Sequence, residues 1–253
     1  MQHIVQEEKI FKFIETNPGK EVIMLLHGLF GSLSNFDGIC NFFSDRFNVV
    51  IPILPIYELP LRKISVNTYA EYVLDFIDYK GYADIHLLGN SLGGHIGQTI
   101  CLRKLDVIKS LTLTGSSGLF ENSMGSTFLR RNDYDFIKKK AESTFYDPST
   151  ASKEMVDDVY ESINNRGKAL SLLASAKSAI RENLEDRISS IIIPTLLIWG
   201  SNDIITPPFV AERFHALIPN SELHFIKECG HAPMMEKPNE FNQIFDSFLS
   251  KLG

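Results

Sequence analysis

The stretch IHLLGNSLGG, residues 85–94, places a serine between glycines directly after an apolar run. Short apolar runs bounded by turn residues are typical of buried strands. Ser91 then has two interpretations. It caps the helix that follows, or it is the nucleophile of a G-x-S-x-G turn, flanked by Gly89 and Gly93, that lifts its hydroxyl above a sheet. Because a serine hydroxyl is a weak nucleophile at neutral pH, the second interpretation requires a base and an acid elsewhere in the chain.

Six such apolar runs, including the one before Ser91, occur along the chain and predict buried strands. They cover residues 21–28, 48–55, 84–90, 107–115, 191–200 and 222–230. Amphipathic helical patterns lie between them, and such alternation predicts an α/β fold with a mostly parallel sheet covered on both sides. Residues 120–190 break the rhythm with charged amphipathic patterns and no apolar strand, which predicts a helical insertion in which Gly167 divides two helices.

Composition limits the classes of function. The 253 residues are 44% hydrophobic and 22% charged, which fits one globular core. The net charge of -6 argues against nucleic acid as the main partner, since phosphate binding needs a basic surface. The N-terminus carries acidic residues where a signal peptide is basic, and no stretch reaches the ~18 apolar residues of a membrane span, so we expect a cytoplasmic protein without a membrane span.

The three cysteines, Cys40, Cys101 and Cys229, have no close spacing and favour neither a disulfide framework nor a zinc site. His86 and His95 likewise have no companion residues at ligand spacing, so we expect no metal and no cofactor. The oligomeric state is left open between a monomer and a homodimer.

Two loops after later strands supply candidates for the acid and the base. In WGSNDIITP, Asp203 follows the run TLLIW, and in ECGHAP, His231 follows the last predicted strand. The alternatives are a turn or capping aspartate and an exposed turn histidine. However, Ser91, Asp203 and His231 occur in the order nucleophile, acid and base, each at the carboxyl edge of its own strand, and this combination favours a catalytic set.

The loop HGLFGS, residues 27–32, follows the run EVIMLL and is the candidate for stabilising a developing oxyanion. Backbone amides in turns supply such donors without reorganising. We expect the amides of Leu29 and Leu92 to converge beside Ser91. His27 is predicted to brace the loop by hydrogen bonding rather than to act as a second base.

Together, HGLFGS, GNSLGG, WGSNDIITP and ECGHAPMMEKP resemble the motifs of the α/β-hydrolase superfamily, in the expected order and over nearly the whole chain. The resemblance implies a doubly wound, mostly parallel sheet of about eight strands. It also implies a catalytic triad of Ser91, Asp203 and His231. The core would comprise residues 1–119 and 191–253, with residues 120–190 as a helical cap over the site.

Three positions, Ser91, Ala232 and Ser162, indicate which enzyme classes within this superfamily the chain resembles least. Haloalkane dehalogenases and epoxide hydrolases of this fold use an aspartate nucleophile. Because this chain has Ser91 at that position, the sequence argues against both of these enzyme classes. The GNS triplet and the stretch INNRGKAL are similar to hydrolases that cleave carbon-carbon bonds in ring-fission products. Those enzymes usually carry a tryptophan after the catalytic histidine and a cap arginine before the paired asparagines, where this chain has Ala232 and Ser162.

These differences favour a small-molecule carboxylic ester, largely apolar, as the substrate. A carbon-carbon bond hydrolase and a low-turnover ligand sensor on the same fold remain the alternatives. Apolar residues near the motifs are candidates for the pocket wall, with ordinary core packing as the alternative for each. They are Phe30, Phe120, Met124 and Phe128.

Overall fold

A computed structural model describes residues 4–31, 36–103, 106–120 and 130–252. Its one sheet has eight strands: β1 Gln6–Glu8, β2 Phe11–Glu15, β3 Val22–Leu26, β4 Asn48–Pro52, β5 Ile85–Asn90, β6 Ile108–Thr114, β7 Thr195–Gly200 and β8 Ser221–Ile226. Across the sheet they lie in the order β1-β2-β4-β3-β5-β6-β7-β8. Only β1 with β2 and β2 with β4 pair antiparallel, while all other neighbours are parallel. The predicted α/β class and mostly parallel sheet are therefore confirmed.

Strands β3 to β8 coincide in chain order with the six apolar runs, although β7 begins only at Thr195 and β8 ends at Ile226. Strands β1 and β2 precede these runs and are not among the strands that the runs predict. The helices of the described residues are α1 Asp37–Phe43, α2 Val66–Lys80, α3 Leu92–Cys101, α4 Tyr134–Glu142, α5 Lys153–Asn164, α6 Arg166–Arg181, α7 Pro208–Leu217, α8 Pro233–Glu236 and α9 Pro238–Leu249. Short 3₁₀ helices span Leu61–Lys63, Pro148–Thr150 and Ile188–Ser190.

Two apolar clusters cover the two faces of the sheet, because successive side chains of a strand point to opposite faces. In β3, Val22, Met24 and Leu26 belong to one cluster, and Ile23 and Leu25 belong to the other. Helices α2, α3 and α7 pack into the first cluster, and α1 and α9 pack into the second. The sheet is thus doubly wound, as the sequence predicts.

The described part of the insertion between β6 and β7 contains helices joined by short loops and no strand. Helices α4, α5 and α6 lie there, and no residue from 130 to 190 is in a strand. The prediction that Gly167 divides two helices is wrong by two residues. The break is at Asn165, whose side chain accepts a hydrogen bond from the amide of Lys168 at 3.1 Å and so caps α6, while Gly167 lies within its first turn.

The loops that carry the predicted functional residues all leave the carboxyl ends of strands. The HGLFGS loop follows β3, Ser91 follows β5, Asp203 follows β7 and His231 follows β8. Since these four strands are parallel, their carboxyl ends share one edge of the sheet. Across the described residues, no helix combines the length and the apolar character that crossing a bilayer requires.

Candidate active site

Ser91 occupies a strained turn between β5 and α3. Its backbone has φ 55° and ψ −121°, a conformation that costs a residue with a Cβ about 1–3 kcal/mol. The Ser91 side chain makes no capping hydrogen bond to α3, although its carbonyl oxygen accepts from the amides of Gly94 at 3.1 Å and His95 at 3.3 Å. The capping interpretation therefore does not hold, and the half-buried hydroxyl is left to another role.

The turn fits only because its flanking positions lack side chains. A Cβ added to Gly93 would lie 2.0 Å from the carbonyl oxygen of Leu26, at the end of β3. This close approach brings the loop after β3 beside the turn. A Cβ on Gly28 would be 3.1 Å from the Cβ of Ser91.

His27 braces this loop, as the sequence predicts. Its Nδ1 lies 2.9 Å from the carbonyl oxygen of Gly28, and its Nε2 lies 3.2 Å from the backbone nitrogen of Leu54. A carbonyl accepts and an amide donates, so Nδ1 carries the proton and Nε2 is the acceptor. Burial lowers the pKa of His27, in keeping with this neutral form.

The two predicted oxyanion donors belong to the turn of Ser91 and to the loop beside it. Leu92 is the first residue of α3, where amides have no partner within the helix. Leu29 follows Gly28 in the adjacent loop. In the part of the chain that the structure describes, neither amide donates a hydrogen bond to the backbone or to a side chain. Their use as an oxyanion hole stays a prediction.

Asp203 is held in a fixed orientation between β7 and α7. Its Oδ1 accepts hydrogen bonds from the amides of Ile205 at 2.8 Å and Thr206 at 3.0 Å, and its Oδ2 accepts from the hydroxyl of Thr206 at 2.9 Å. The indole of Trp199 donates to the carbonyl oxygen of Thr206 at 2.7 Å and ties this loop to β7. The carboxylate thus accepts hydrogen bonds from the turn that follows it, and its Oδ2 also faces His231.

His231 and Asp203 meet in a buried hydrogen bond. The distance from Nδ1 of His231 to Oδ2 of Asp203 is 2.9 Å, and the side chains are 9% and 0% exposed. Because a carboxylate oxygen accepts, the Nδ1 atom of His231 carries the proton and Nε2 has the lone pair of a general base. Of the three predicted catalytic residues, the acid and the base are therefore joined directly.

Three residues that the sequence analysis did not select hold His231 in place. The side-chain Nδ2 of Asn90 donates to the carbonyl oxygens of His231 at 3.2 Å and Thr114 at 3.0 Å, which links the residue before Ser91 to the histidine. Gly115 leaves room for the ring, since a Cβ there would lie 2.9 Å from Nδ1 of His231. The Thr206 hydroxyl lies 3.4 Å from the same nitrogen. The only sequence signals were the asparagine of GNS, the glycine ending LTLTG and the threonine of NDIITP.

The predicted pocket wall is only partly described. Phe30 is half-buried and packs against the apolar cluster on the α2, α3 and α7 face. Phe120 is 38% exposed and meets the ring of Phe209 edge-on, with centroids 5.4 Å apart. Met124 and Phe128 lie outside the described residues. The pocket assignments stay predictions.

No group of three or more His, Cys, Asp or Glu side chains within the described residues has the arrangement of a metal site. His86 hydrogen-bonds Ser110 and Glu21, and Nε2 of His95 lies 2.9 Å from the carbonyl oxygen of Glu182. Both histidines belong to the packing of strand β5 and helix α3.

Comparisons with known proteins agree with this architecture. A solved structure of MGS-MChE2, an alpha/beta hydrolase enzyme from the metagenome of sediments from the lagoon of Mar Chica, Morocco, is 40% identical, with 98% of each chain covered and a TM-score of 0.81. Lipase 1 of Psychrobacter immobilis is 26% identical over 93% of this chain and 79% of its own. A 2-hydroxy-6-oxononadienedioate/2-hydroxy-6-oxononatrienedioate hydrolase of Pseudomonas sp. is 24% identical over 92% of this chain and 89% of its own.

The family model of the alpha/beta hydrolase fold matches residues 21–238. This match covers most of the chain and includes all four loops at the carboxyl edge of the sheet. The protein therefore belongs to the α/β-hydrolase fold family.

Proposed function

We propose that this protein is a serine hydrolase that cleaves carboxylic esters of small, largely apolar substrates through an acyl-enzyme. The observation that supports it most is the 2.9 Å hydrogen bond between Asp203 and His231, on the same edge of the sheet as the strained turn of Ser91. A buried acid that orients a histidine, on the sheet edge that also carries a serine in a strained turn, is the arrangement that activates serine for attack.

In the first half of the reaction, Oγ of Ser91 attacks the ester carbonyl carbon while Nε2 of His231 takes its proton. The oxyanion that forms accepts hydrogen bonds from the amides of Leu29 and Leu92. The carbon-oxygen bond to the alcohol then breaks, and His231 gives the proton to the departing alcohol. Asp203 stabilises the imidazolium that exists between these two transfers.

In the second half, His231 takes a proton from a water molecule that attacks the acyl-enzyme. The ester to Ser91 breaks, the proton returns to Oγ, and the carboxylic acid leaves. Two acid-base cycles of one histidine thus balance both steps, and no cofactor or metal enters the proposal.

We also propose that residues 120–190 form a cap on a core of residues 1–119 and 191–253. Ile137 of α4, Ile163 of α5 and Leu172 of α6 belong to the apolar cluster that Leu29 and Phe30 pack against. Apolar helices above the triad would exclude water and favour an apolar acyl or alcohol group. This is the basis for the proposed substrate class.

Two positions favour an ester over a carbon-carbon bond. Ala232 is buried where related carbon-carbon hydrolases carry tryptophan. Ser162, at the position of their cap arginine, has a short uncharged side chain that cannot supply the guanidinium. Arg130 pairs with Asp133 at 2.6 Å at the exposed start of α4 and does not replace that arginine.

The test is turnover by Ser91→Ala beside the wild-type protein on a panel of aryl esters, thioesters, lactones, amides and a ring-fission diketone. We expect multiple turnovers of the apolar esters, and a loss of about 10⁴- to 10⁶-fold in kcat for Ser91→Ala. Ser250→Ala, an exposed serine after α9, is the control and should keep full activity.

Near-normal ester turnover by Ser91→Ala would refute the mechanism. Preference for the diketone would support the carbon-carbon alternative. Stoichiometric labelling of Ser91 by a fluorophosphonate without turnover of any substrate would instead support a ligand sensor.

A further inference from the structure

A short segment after α4, residues 144–147, crosses the loop that carries His231; we call this segment the strap. The amide of His231 donates to the carbonyl oxygen of Thr144 at 2.9 Å. A Cβ on Gly230 would lie 2.6 Å from that same oxygen and 2.8 Å from Cα of Phe145. The strap and the histidine loop are therefore in direct backbone contact, which only a glycine at position 230 allows.

The strap is also anchored by apolar packing. Phe145 is 8% exposed and belongs to the same apolar cluster as Cys229 and Ala232, which flank Gly230 and His231 in the chain. The inserted helices thus reach the histidine loop through a fixed element rather than through a loose surface loop.

Glu236, the last residue of α8, joins the two segments with one carboxylate. Its Oε2 accepts a hydrogen bond from the amide of Gly230 at 2.5 Å, and its Oε1 accepts from the amide of Asp147 at 2.9 Å. Charge-assisted bonds from two amides to one carboxylate are about twice as strong as neutral ones. Burial raises the pKa of the Cys229 thiol, and the negative charge of Glu236 raises it further.

We infer that Glu236 is a positioning residue for His231. Its carboxylate clamps the histidine loop to the strap, so that the base is correctly placed only while the strap is bound to this loop. This inference rests on the proposed function of His231. The hydrogen bonds of the Glu236 carboxylate go to the backbone amides of Gly230 and Asp147. Its effect passes through Gly230, the residue before the base.

The physical reason is the precision that proton transfer requires. The Nδ1 atom of His231 is oriented by Asp203, but the position of the whole residue depends on its backbone, which is held by Asn90 at the carbonyl and by the strap at the amide. A displacement of about 1 Å in a reacting group costs about 10²-fold in rate. Loss of the clamp should therefore lower kcat while leaving substrate binding nearly unchanged.

The experiment compares Glu236→Gln with Glu240→Gln, an exposed glutamate in the first turn of α9 that undergoes the same chemical change. Glutamine keeps the length of the side chain and one acceptor oxygen, but its NH₂ group faces the second amide donor. We expect kcat on the best aryl ester to fall by about 10- to 100-fold with KM within about threefold, and Glu240→Gln to match the wild-type protein.

Hydrogen exchange supplies a readout that does not depend on catalysis. The amides of Gly230, His231 and Asp147 should exchange slowly and at similar rates in the wild-type protein. In Glu236→Gln they should all exchange faster, while amides of the sheet keep their protection. Fast exchange at these three amides in the wild-type protein would overturn the clamp even if the variant does not fold.

Unchanged kcat in Glu236→Gln despite faster exchange would overturn the positioning role, and so would a rise in KM at constant kcat. Retained activity in Ser91→Ala would instead remove the proposed function, while the exchange result would still decide whether the clamp exists. The two proposals can thus fail separately.

Discussion

At the scale of single residues, Thr206 shows how much of the candidate site depends on donors around Asp203. One residue supplies an amide to Oδ1 and a hydroxyl to Oδ2 of that carboxylate. The oxygen that receives the hydroxyl is the same one that receives the Nδ1 proton of His231. Hydrogen bonds to charged groups contribute about 1.5–3 kcal/mol, so removing this donor should loosen the orientation of the acid.

Replacing Thr206 with valine keeps the shape and the amide but removes the hydroxyl. We expect kcat/KM on an aryl ester to fall about tenfold, which corresponds to about 1.4 kcal/mol of transition-state stabilisation. Thr206→Ser retains the hydroxyl and should stay close to the wild-type rate. Equal rates for the valine and serine variants would show that the hydroxyl has no role in orienting Asp203.

At the scale of elements, serine hydroxyls of α6 join this helix to α2 by hydrogen bonds. Ser175 Oγ lies 2.7 Å from the hydroxyl of Tyr69, and Ser178 Oγ accepts from the amide of Val66 at 2.9 Å. Val66 begins α2, where amides have no acceptor within the helix. The inserted helix thus satisfies a donor of the core that would otherwise be buried without a partner.

The substitution Ser178→Ala tests this contact. It should lower the free energy of unfolding by about 1–3 kcal/mol, because the buried amide of Val66 loses its acceptor. Urea denaturation at pH 7 measures the change, with the exposed Ser189→Ala as the control, expected within about 0.5 kcal/mol of the wild-type protein. A Ser178→Ala protein as stable as the control would show that water replaces the hydroxyl.

At the scale of the whole molecule, buried neutral histidines make the folded state sensitive to acid. Burial lowers the pKa values of His27, His86 and His95, and that of His95 falls from 6.5 to about 4. Within the described part of the chain, Nδ1 of His95 has no hydrogen-bond partner, so protonation there would add an unsatisfied buried donor. The unfolded chain, by contrast, takes up these protons near pH 6.5.

Proton linkage determines whether acid raises or lowers the free energy of unfolding. Between about pH 6.5 and 4 the unfolded state binds more protons, so the free energy of unfolding falls as the pH falls. His95 alone should account for about 2 kcal/mol between pH 7 and pH 5. Urea denaturation at both pH values should show a smaller decrease in His95→Gln than in the wild-type protein. An equal decrease in both proteins would exclude His95 as a source of the acid sensitivity.

The sequence by itself determined the alternation of strands and helices, the glycine-flanked turn at Ser91 and the order of Ser91, Asp203 and His231. These features are local, because apolar periodicity and small turn residues act through neighbours in the chain. The sequence predicts the helix break of the insertion at Gly167, two residues after its position in the structure. The reason is that the capping side chain of Asn165, rather than the glycine, sets where α6 begins.

Only the tertiary structure decided which residues hold His231 in place. Asn90 reaches the carbonyl of a residue 141 positions away, and Glu236 bonds an amide 89 positions away in the strap. Gly115 matters because an imidazole from β8's loop lies against it. Such contacts depend on how the sheet brings distant loops to one edge, and the local pattern around an asparagine, a glycine or a glutamate does not contain that information.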